Sequence, residues 1–206
     1  MPGVLRAVPS GKTNLLNPTI TSWDRMPTWN LVFDIDFTLT GDLPSLRKLG
    51  QKLERLQQAD QIGRVVKKID EASHNLIDRK ICKDNKDDIV VILKDWLNNN
   101  QVDVIITTGG TGLTGRDITP EALDDIADKY IPGFGEIFRY LSFKTIGTST
   151  IQSRACAVLA KGKYVFALPG SSGGVTDAWE GILKHQLDVN HKPCNFVELI
   201  PRLKEK

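Results

Sequence analysis

Two segments of this chain share one plan, and that repetition limits the folds open to it. Val102 to Ala122 runs from an apolar strand through a glycine-rich turn into a helix start, VDVIITTGGTGLTGRDITPEA, and Lys163 to Leu183 does the same. Val102, Val104, Ile105 and Ile106 form a nearly continuous apolar run, the pattern of a parallel strand covered on both faces. KYVFAL, Lys163 to Leu168, reads the same way, and Val175, Ala178, Trp179, Ile182 and Leu183 after it recur on one helical face. Two strand, glycine loop, helix units place both loops at the carboxyl edge of one sheet, where open α/β folds bind ligands.

The first loop has the chemistry of a phosphate cradle. Gly109, Gly110, Thr111 and Gly112 follow Thr108 directly and let backbone N–H groups approach an anion without interference from Cβ atoms. Thr119 as N-cap, Pro120 as first helical residue and Glu121 as first-turn acid mark a helix start. Asp117 stays on the loop. A carboxylate beside a phosphate cradle repels the ligand unless a cation lies between them, which points to Mg²⁺ or to a substrate held by other donors. The alternative is a glycine-rich connection with a solvated aspartate. In the second loop, Pro169-Gly170-Ser171-Ser172-Gly173-Gly174, the two serines admit two readings, turn formers or ligand donors.

The remaining periodicities predict alternating elements. They are a strand at Leu31–Asp34, one or two helices over Pro44–Ser73, a strand at Asn75–Ile81, a helix at Asp87–Asn98, a strand at Asp103–Thr107 and helices at Thr119–Lys129 and Gly135–Phe143. An extended segment near Lys144–Gly147, a helix at Gln152–Leu159, the strand at Lys163–Leu168 and a helix at Val175–Leu187 complete the order. Such alternation predicts a three-layer α/β/α fold with a mostly parallel sheet.

Several motifs in this order resemble one family. TTGGTGLTGRDITPEA, GFGEIFRYLSF (Gly133 to Phe143), IGTSTIQSRA (Ile146 to Ala155), FALPGSSGGVTDAWEGIL (Phe166 to Leu183) and PCNFVELIPRL (Pro193 to Leu203) are similar to the MoaB/Mog family of molybdenum cofactor biosynthesis, from about Lys67 onward. The resemblance implies a molybdopterin-binding fold and, for active members, transfer of AMP from Mg-ATP to the terminal phosphate of molybdopterin, with release of pyrophosphate. It assigns the two acidic positions of that chemistry, catalytic and Mg²⁺-holding, to Asp84 and Asp117. It puts Thr111, Ser142 and Ser153 on substrate-site positions, beside Thr108, Gly109, Gly110, Gly112, Thr119, Pro169, Gly170, Ser171 and Ser172 of the two loops. It also implies a homotrimer or homohexamer.

The first third departs from that pattern. WNLVFDIDFTLTGD, Trp29 to Asp42, resembles the first motif of haloacid dehalogenase-like phosphatases, which makes Asp34 and Asp36 an alternative metal site and Asp34 an alternative nucleophile for a Mg²⁺-dependent phosphohydrolase. Thr107 or Thr108 could serve as the Ser/Thr strand end such an enzyme needs, but the later Lys and acidic strand end are not found. The division expected is therefore an arm over residues 1–27 and one domain over 28–206 whose 28–66 strand and helix are atypical, with Leu43, Leu46, Leu49, Leu53 and Leu56 as a core-facing stripe. A family member without turnover is the other alternative.

Composition excludes more than it selects. With 27 basic against 25 acidic residues the formal net charge is +2, which gives no nucleic-acid footprint, so small charged metabolites are the expected partners. No apolar run is long enough to span a membrane, and a cytoplasmic address is expected. Cys82, Cys156 and Cys194 form no paired motif, and the dispersed His74, His185 and His191 lack metal-site spacing. Ser10-Gly11-Lys12-Thr13 matches only the end of a Walker A loop, without its first glycine or a preceding strand, and is rejected as a nucleotide site.

Overall fold

The computed structural model describes residues 63–205, all within one compact unit spanning Gln58–Lys206. The arm, the Leu31–Asp34 strand, Asp34, Asp36 and the leucine stripe from Leu43 to Leu56 lie outside the described residues. Residues 63–71 are helical (α1). There follow α2 (Lys86–Asn98), β1 (Val104–Thr108), α3 (Thr119–Asp124), β2 (Lys129–Tyr130), α4 (Pro132–Ile146), a 3₁₀ turn (Gly147–Gln152), β3 (Cys156–Ala160) and β4 (Lys163–Leu168). The chain then forms α5 (Ser172–Ala178), a π turn (Trp179–Leu183), α6 (Lys184–Gln186), α7 (Phe196–Leu199) and a last 3₁₀ turn (Ile200–Arg202).

The four described strands form one mixed sheet in the order β1-β4-β3-β2. β1 and β4 run parallel, from Val104 opposite Tyr164 to Thr108 opposite Leu168, whereas β3 is antiparallel to both β4 and β2. All six β4 residues are buried, as its apolar run predicts. Their alternation divides them between two layers. Val165 and Ala167 join Ile89, Leu93, Leu97, Ala122 and Leu123 from α2 and α3 on one face. Tyr164, Phe166 and Leu168 join Phe134, Phe138, Ala178, Trp179 and Leu183 on the other. The arrangement is α/β/α, as expected from the sequence, but among the described strands only β1 and β4 pair in parallel, so the sheet is mixed rather than mostly parallel.

One buried cation completes the packing. Lys163 is 6% exposed. Its ammonium donates to the carbonyls of Trp96, at 3.4 Å, and Asn99, capping the carboxyl end of α2, where a cation offsets the negative end of the helix dipole.

Several sequence expectations need correction. Cys156–Ala160 is a strand, not part of a Gln152–Leu159 helix. Lys161 and Gly162 have φ of 50° and 70°, the two-residue turn with positive φ at both positions that joins twisted antiparallel strands. The helix after Thr119 stops at Asp124, because Asp128 and Ile131 donate to the Leu159 and Ala157 carbonyls and draw this segment into the sheet edge as β2. α4 runs three residues further at each end than predicted and takes in most of the presumed extended segment at Lys144–Gly147. Asn75–Ile81 is not a strand. This segment is held to α2 by side chains: Trp96 Nε1 donates to Asp78 Oδ2 at 2.8 Å, and the Lys80 ammonium reaches Asp95 at 2.9 Å. A strand needs a laddered neighbour, and among the described residues nothing pairs with the outer edge of β1.

Candidate functional site

The ends of β1 and β4 are tied together, and this brings the two glycine loops side by side. Gly109 N–H donates to the Leu168 carbonyl at 3.0 Å, continuing the parallel ladder one step past the strand. Thr108 Oγ1 donates to the Pro169 carbonyl at 3.1 Å. Each loop therefore begins from a fixed backbone point on its neighbour. Thr108 and Gly109 thus meet Leu168 and Pro169 at the sheet edge.

The first loop then closes on α3. Thr119 donates twice, from Oγ1 to the Gly109 carbonyl at 2.9 Å and from N–H to the Gly110 carbonyl at 3.0 Å. Thr119 is thus the first residue of α3, with Ile118 at the cap position and no side-chain cap, because its hydroxyl is spent on the loop rather than on the helix N–H groups. Gly110 sits at φ +67°, where a side chain is strained, and a Cβ there would lie 2.4 Å from Thr119 Oγ1.

Asp117 faces into the same turn. Its Oδ2 accepts from Thr114 N–H at 2.8 Å and Thr114 Oγ1 at 2.7 Å. Burial raises its carboxyl pKa, but the Thr114 hydroxyl and amide, the Gly112 amide and the Arg154 charge outweigh that and hold it below the ordinary value. Asp84 lies outside the turn, partly exposed, with its Oδ2 3.6 Å from Arg116 Nη2, next in sequence to Asp117. Among the described residues no group of three or more His, Cys, Asp or Glu side chains is gathered for a metal.

The other predicted positions are distributed around this pair of loops. Thr111 is buried, and its carbonyl accepts from Arg154 N–H at 2.7 Å, which brings Ser153 to the first loop. Ser153 Oγ itself accepts from Ala155 N–H at 3.3 Å. Ser142 is buried on α4 and donates to Asp177 Oδ2 on α5 at 3.1 Å. Ser171 is the N-cap of α5, accepting from Gly174 N–H at 3.1 Å, so the turn-forming reading describes its contacts, and Ser172 is the first residue of that helix.

Two participants were not singled out by the sequence. Asp177, to which the sequence reading assigns no role, accepts from the Ser142 hydroxyl. Arg154, inside the IQSRA motif, sits directly behind the first loop. Its ion pair with Glu121 holds that carboxyl below its ordinary pKa, and the same contact raises the guanidinium.

A mixed open sheet between two helical layers, with two glycine loops joined at the carboxyl ends of its parallel strands, defines an open-sheet α/β domain whose candidate ligand site is that edge. Residues 49–189 match the family described as a probable molybdopterin binding domain. Molybdenum cofactor biosynthesis protein B of Escherichia coli K12 is 48% identical over 126 residues, covering 61% of this chain and 74% of its own length. The Staphylococcus aureus protein of the same name is 41% identical over 142 residues, covering 68% and 78%. Among solved structures, a molybdenum cofactor biosynthesis protein B superposes with TM-score 0.60 at 35% identity, covering 68% of this chain and 82% of its own. The tungsten cofactor synthesizing protein MoaB of Pyrococcus furiosus gives 0.55 at 33% identity, covering 60% and 78%. The chain belongs to this molybdopterin-binding domain family.

The family match opens at residue 49, earlier than the Lys67 at which the motif resemblance begins, so the end of the leucine stripe falls within it. Asp34 and Asp36 precede it. The relatives and structures named above give the haloacid dehalogenase-like reading no support. No helix among the described residues is long and apolar enough to cross a membrane.

Proposed function

We propose that this chain acts in molybdenum cofactor biosynthesis as a cytoplasmic molybdopterin adenylyltransferase. The observation that carries the reading is the joined pair of loops, with an ionised Asp117 locked into the glycine turn. A terminal phosphate oxygen of molybdopterin attacks the α-phosphorus of ATP. The bond from that phosphorus to the oxygen shared with the β-phosphate breaks, and pyrophosphate leaves. No protein nucleophile is required. The chain has to align two anions and balance the charge on the leaving group.

Within the Gly109–Gly112 turn, where the Gly109 N–H is taken by the Leu168 carbonyl and the Gly112 amide faces Asp117, the backbone N–H groups of Gly110 and Thr111 hold phosphate, and the second loop, from Pro169 to Ser172, contacts the rest of the substrate. The donor chemistry fits Mg²⁺. Asp84 and Asp117 are hard oxygen donors, one partly exposed and the other kept ionised, as suits a cation shared between one or two carboxylates, water and substrate phosphates. When bound, Mg²⁺ supplies charge neutralisation at the phosphates. The chain assembles as a homotrimer or homohexamer, with Ile137, Tyr140, Phe143 and Ile146, exposed along α4, as the apolar face that packs between copies.

One observation favours binding without turnover. Both Thr114 donors converge on Asp117 Oδ2, so Asp117 also serves as a loop brace. Pyrophosphate release from Mg-ATP and molybdopterin separates the two readings. Adenylyl transfer requires turnover by the intact chain, its loss in Asp84→Asn and Asp117→Asn, and no change in Asp34→Asn. Molybdopterin binding without pyrophosphate release selects the binding protein, and loss of binding by the intact, folded chain overturns both.

A further inference from the structure

We infer that Arg154 is the positioning residue of the anion loop, setting its shape from behind without touching ligand; the ligand assignment rests on the reading above. Arg154 meets four acceptors. Its N–H donates to the Thr111 carbonyl at 2.7 Å, and its Nε donates to the Gly112 carbonyl at 2.7 Å. Nη2 donates to the Asp117 carbonyl, and Nη1 to Glu121 Oε1. The guanidinium thus spans the later part of the loop, from the Gly112 carbonyl to the Asp117 carbonyl, and reaches the first turn of the helix beyond.

Peptide geometry gives this arrangement a direction. In a trans peptide the C=O and the following N–H point oppositely. Drawing the Thr111, Gly112 and Asp117 carbonyls toward Arg154 turns the Gly112, Leu113 and Ile118 N–H groups the other way. The Gly112 amide accordingly lowers the pKa of the Asp117 carboxyl. The planar fork of arginine suits three separated acceptors, whereas a lysine ammonium at the same place is a point donor on a flexible stem.

Arg154 is itself held from the opposite side. Arg139 Nη1 donates to the Ser153 and Ala155 carbonyls at 3.4 and 3.3 Å, and Thr150 Oγ1 donates to the Arg139 carbonyl at 3.2 Å. A second arginine therefore anchors the backbone from which Arg154 reaches the loop. Three of the five guanidinium N–H donors of Arg154 are committed to protein acceptors, two of them loop carbonyls, and this commitment assigns it to orienting the backbone. Glu121 depends on the contact as well, since its other carboxylate oxygen is buried with no hydrogen-bond partner.

The test compares the intact chain with Arg154→Lys and Arg154→Met, using amide hydrogen exchange, thermal unfolding and molybdopterin titration. Both variants should lose about tenfold or more of the protection at residues 112–118, with β3 and β4 unchanged, and both should bind molybdopterin about tenfold or more weakly. Arg154→Lys, which keeps the charge, should resemble Arg154→Met in the loop while its Tm stays near that of the intact chain. A Lys variant with native loop exchange and native affinity would overturn the inference, as would exchange raised evenly across the sheet. If the intact chain itself binds no molybdopterin, the functional reading fails, and the exchange pattern alone still decides the role of Arg154.

Discussion

Gly110→Ala tests whether the first loop is closed by Thr119 in the way its geometry requires. The residue sits at φ +67°, and an added Cβ would lie 2.4 Å from Thr119 Oγ1 and 3.4 Å from Thr119 Cβ. The left-handed conformation costs an L-residue about 1–2 kcal/mol. The hydroxyl must also move, giving up its 2.9 Å bond to the Gly109 carbonyl, and such a bond is worth about 1 kcal/mol net. The sum is about 2–3 kcal/mol, or a fall in Tm of about 5–10 °C for a domain of this size. A double-mutant cycle isolates the steric step. Thr119→Ala alone should cost about 1 kcal/mol, but on top of Gly110→Ala it should cost almost nothing, because the bond is already broken. Thermal or urea unfolding of the three variants measures it. Additive losses would refute the reasoning, because they would mean that the hydroxyl keeps its bond beside the new methyl group.

Acid should weaken the same loop. Asp117 and Glu121 have folded pKa values below their ordinary 3.8 and 4.5, so each contributes stability that is present above those values and lost as pH falls through the folded ones. Unfolding followed from pH 6 to pH 2 should show stability declining below about 4.5, with a shallower decline in Asp117→Asn; an unchanged slope in that variant would remove Asp117 from the account. Burial, reinforced by Asp124, pushes the Cys156 thiol up to about 11. Iodoacetamide at pH 8 should therefore modify exposed Cys194 in the native protein and Cys156 only after denaturation, as peptide mass mapping would read directly. Ile137, Tyr140, Phe143 and Ile146 on α4, with Ile151 beyond it, are 50–79% exposed and form the apolar face assigned to assembly. Sedimentation should give a trimer or hexamer that Phe143→Asp and Ile146→Asp reduce to monomers, and a monomeric intact chain would sink that assignment.

What could be read in advance was whatever a single segment states by itself. The β1 and β4 apolar runs, the glycines that end them and the Ile89, Leu93 and Leu97 stripe of α2 are local signals, and each produced its element. β3 was missed because Arg154 to Ala157 carries small or polar residues without clear alternation, and its identity depends on the hairpin closed at Lys161 and Gly162. The opposite error occurred at Asn75–Ile81, where Leu76, Ile77 and Ile81 are 40–60% exposed. The residues suit a strand, but Asp78 and Lys80 bind Trp96 and Asp95 of α2, and no ladder forms.

The site follows the same division. Glycines and acids announce a phosphate cradle because each acts where it stands. The support of that cradle is a non-local choice. Arg154 selects carbonyls 42 and 37 residues away, and a carbonyl has no residue type for a motif to record. A sequence can therefore display the groups that face a ligand while the side chain that shapes their backbone looks like any other arginine. What distinguishes it is that three nitrogens of one rigid plane have to find acceptors together, so a substitution that preserves its charge should fail almost as badly as one that removes it.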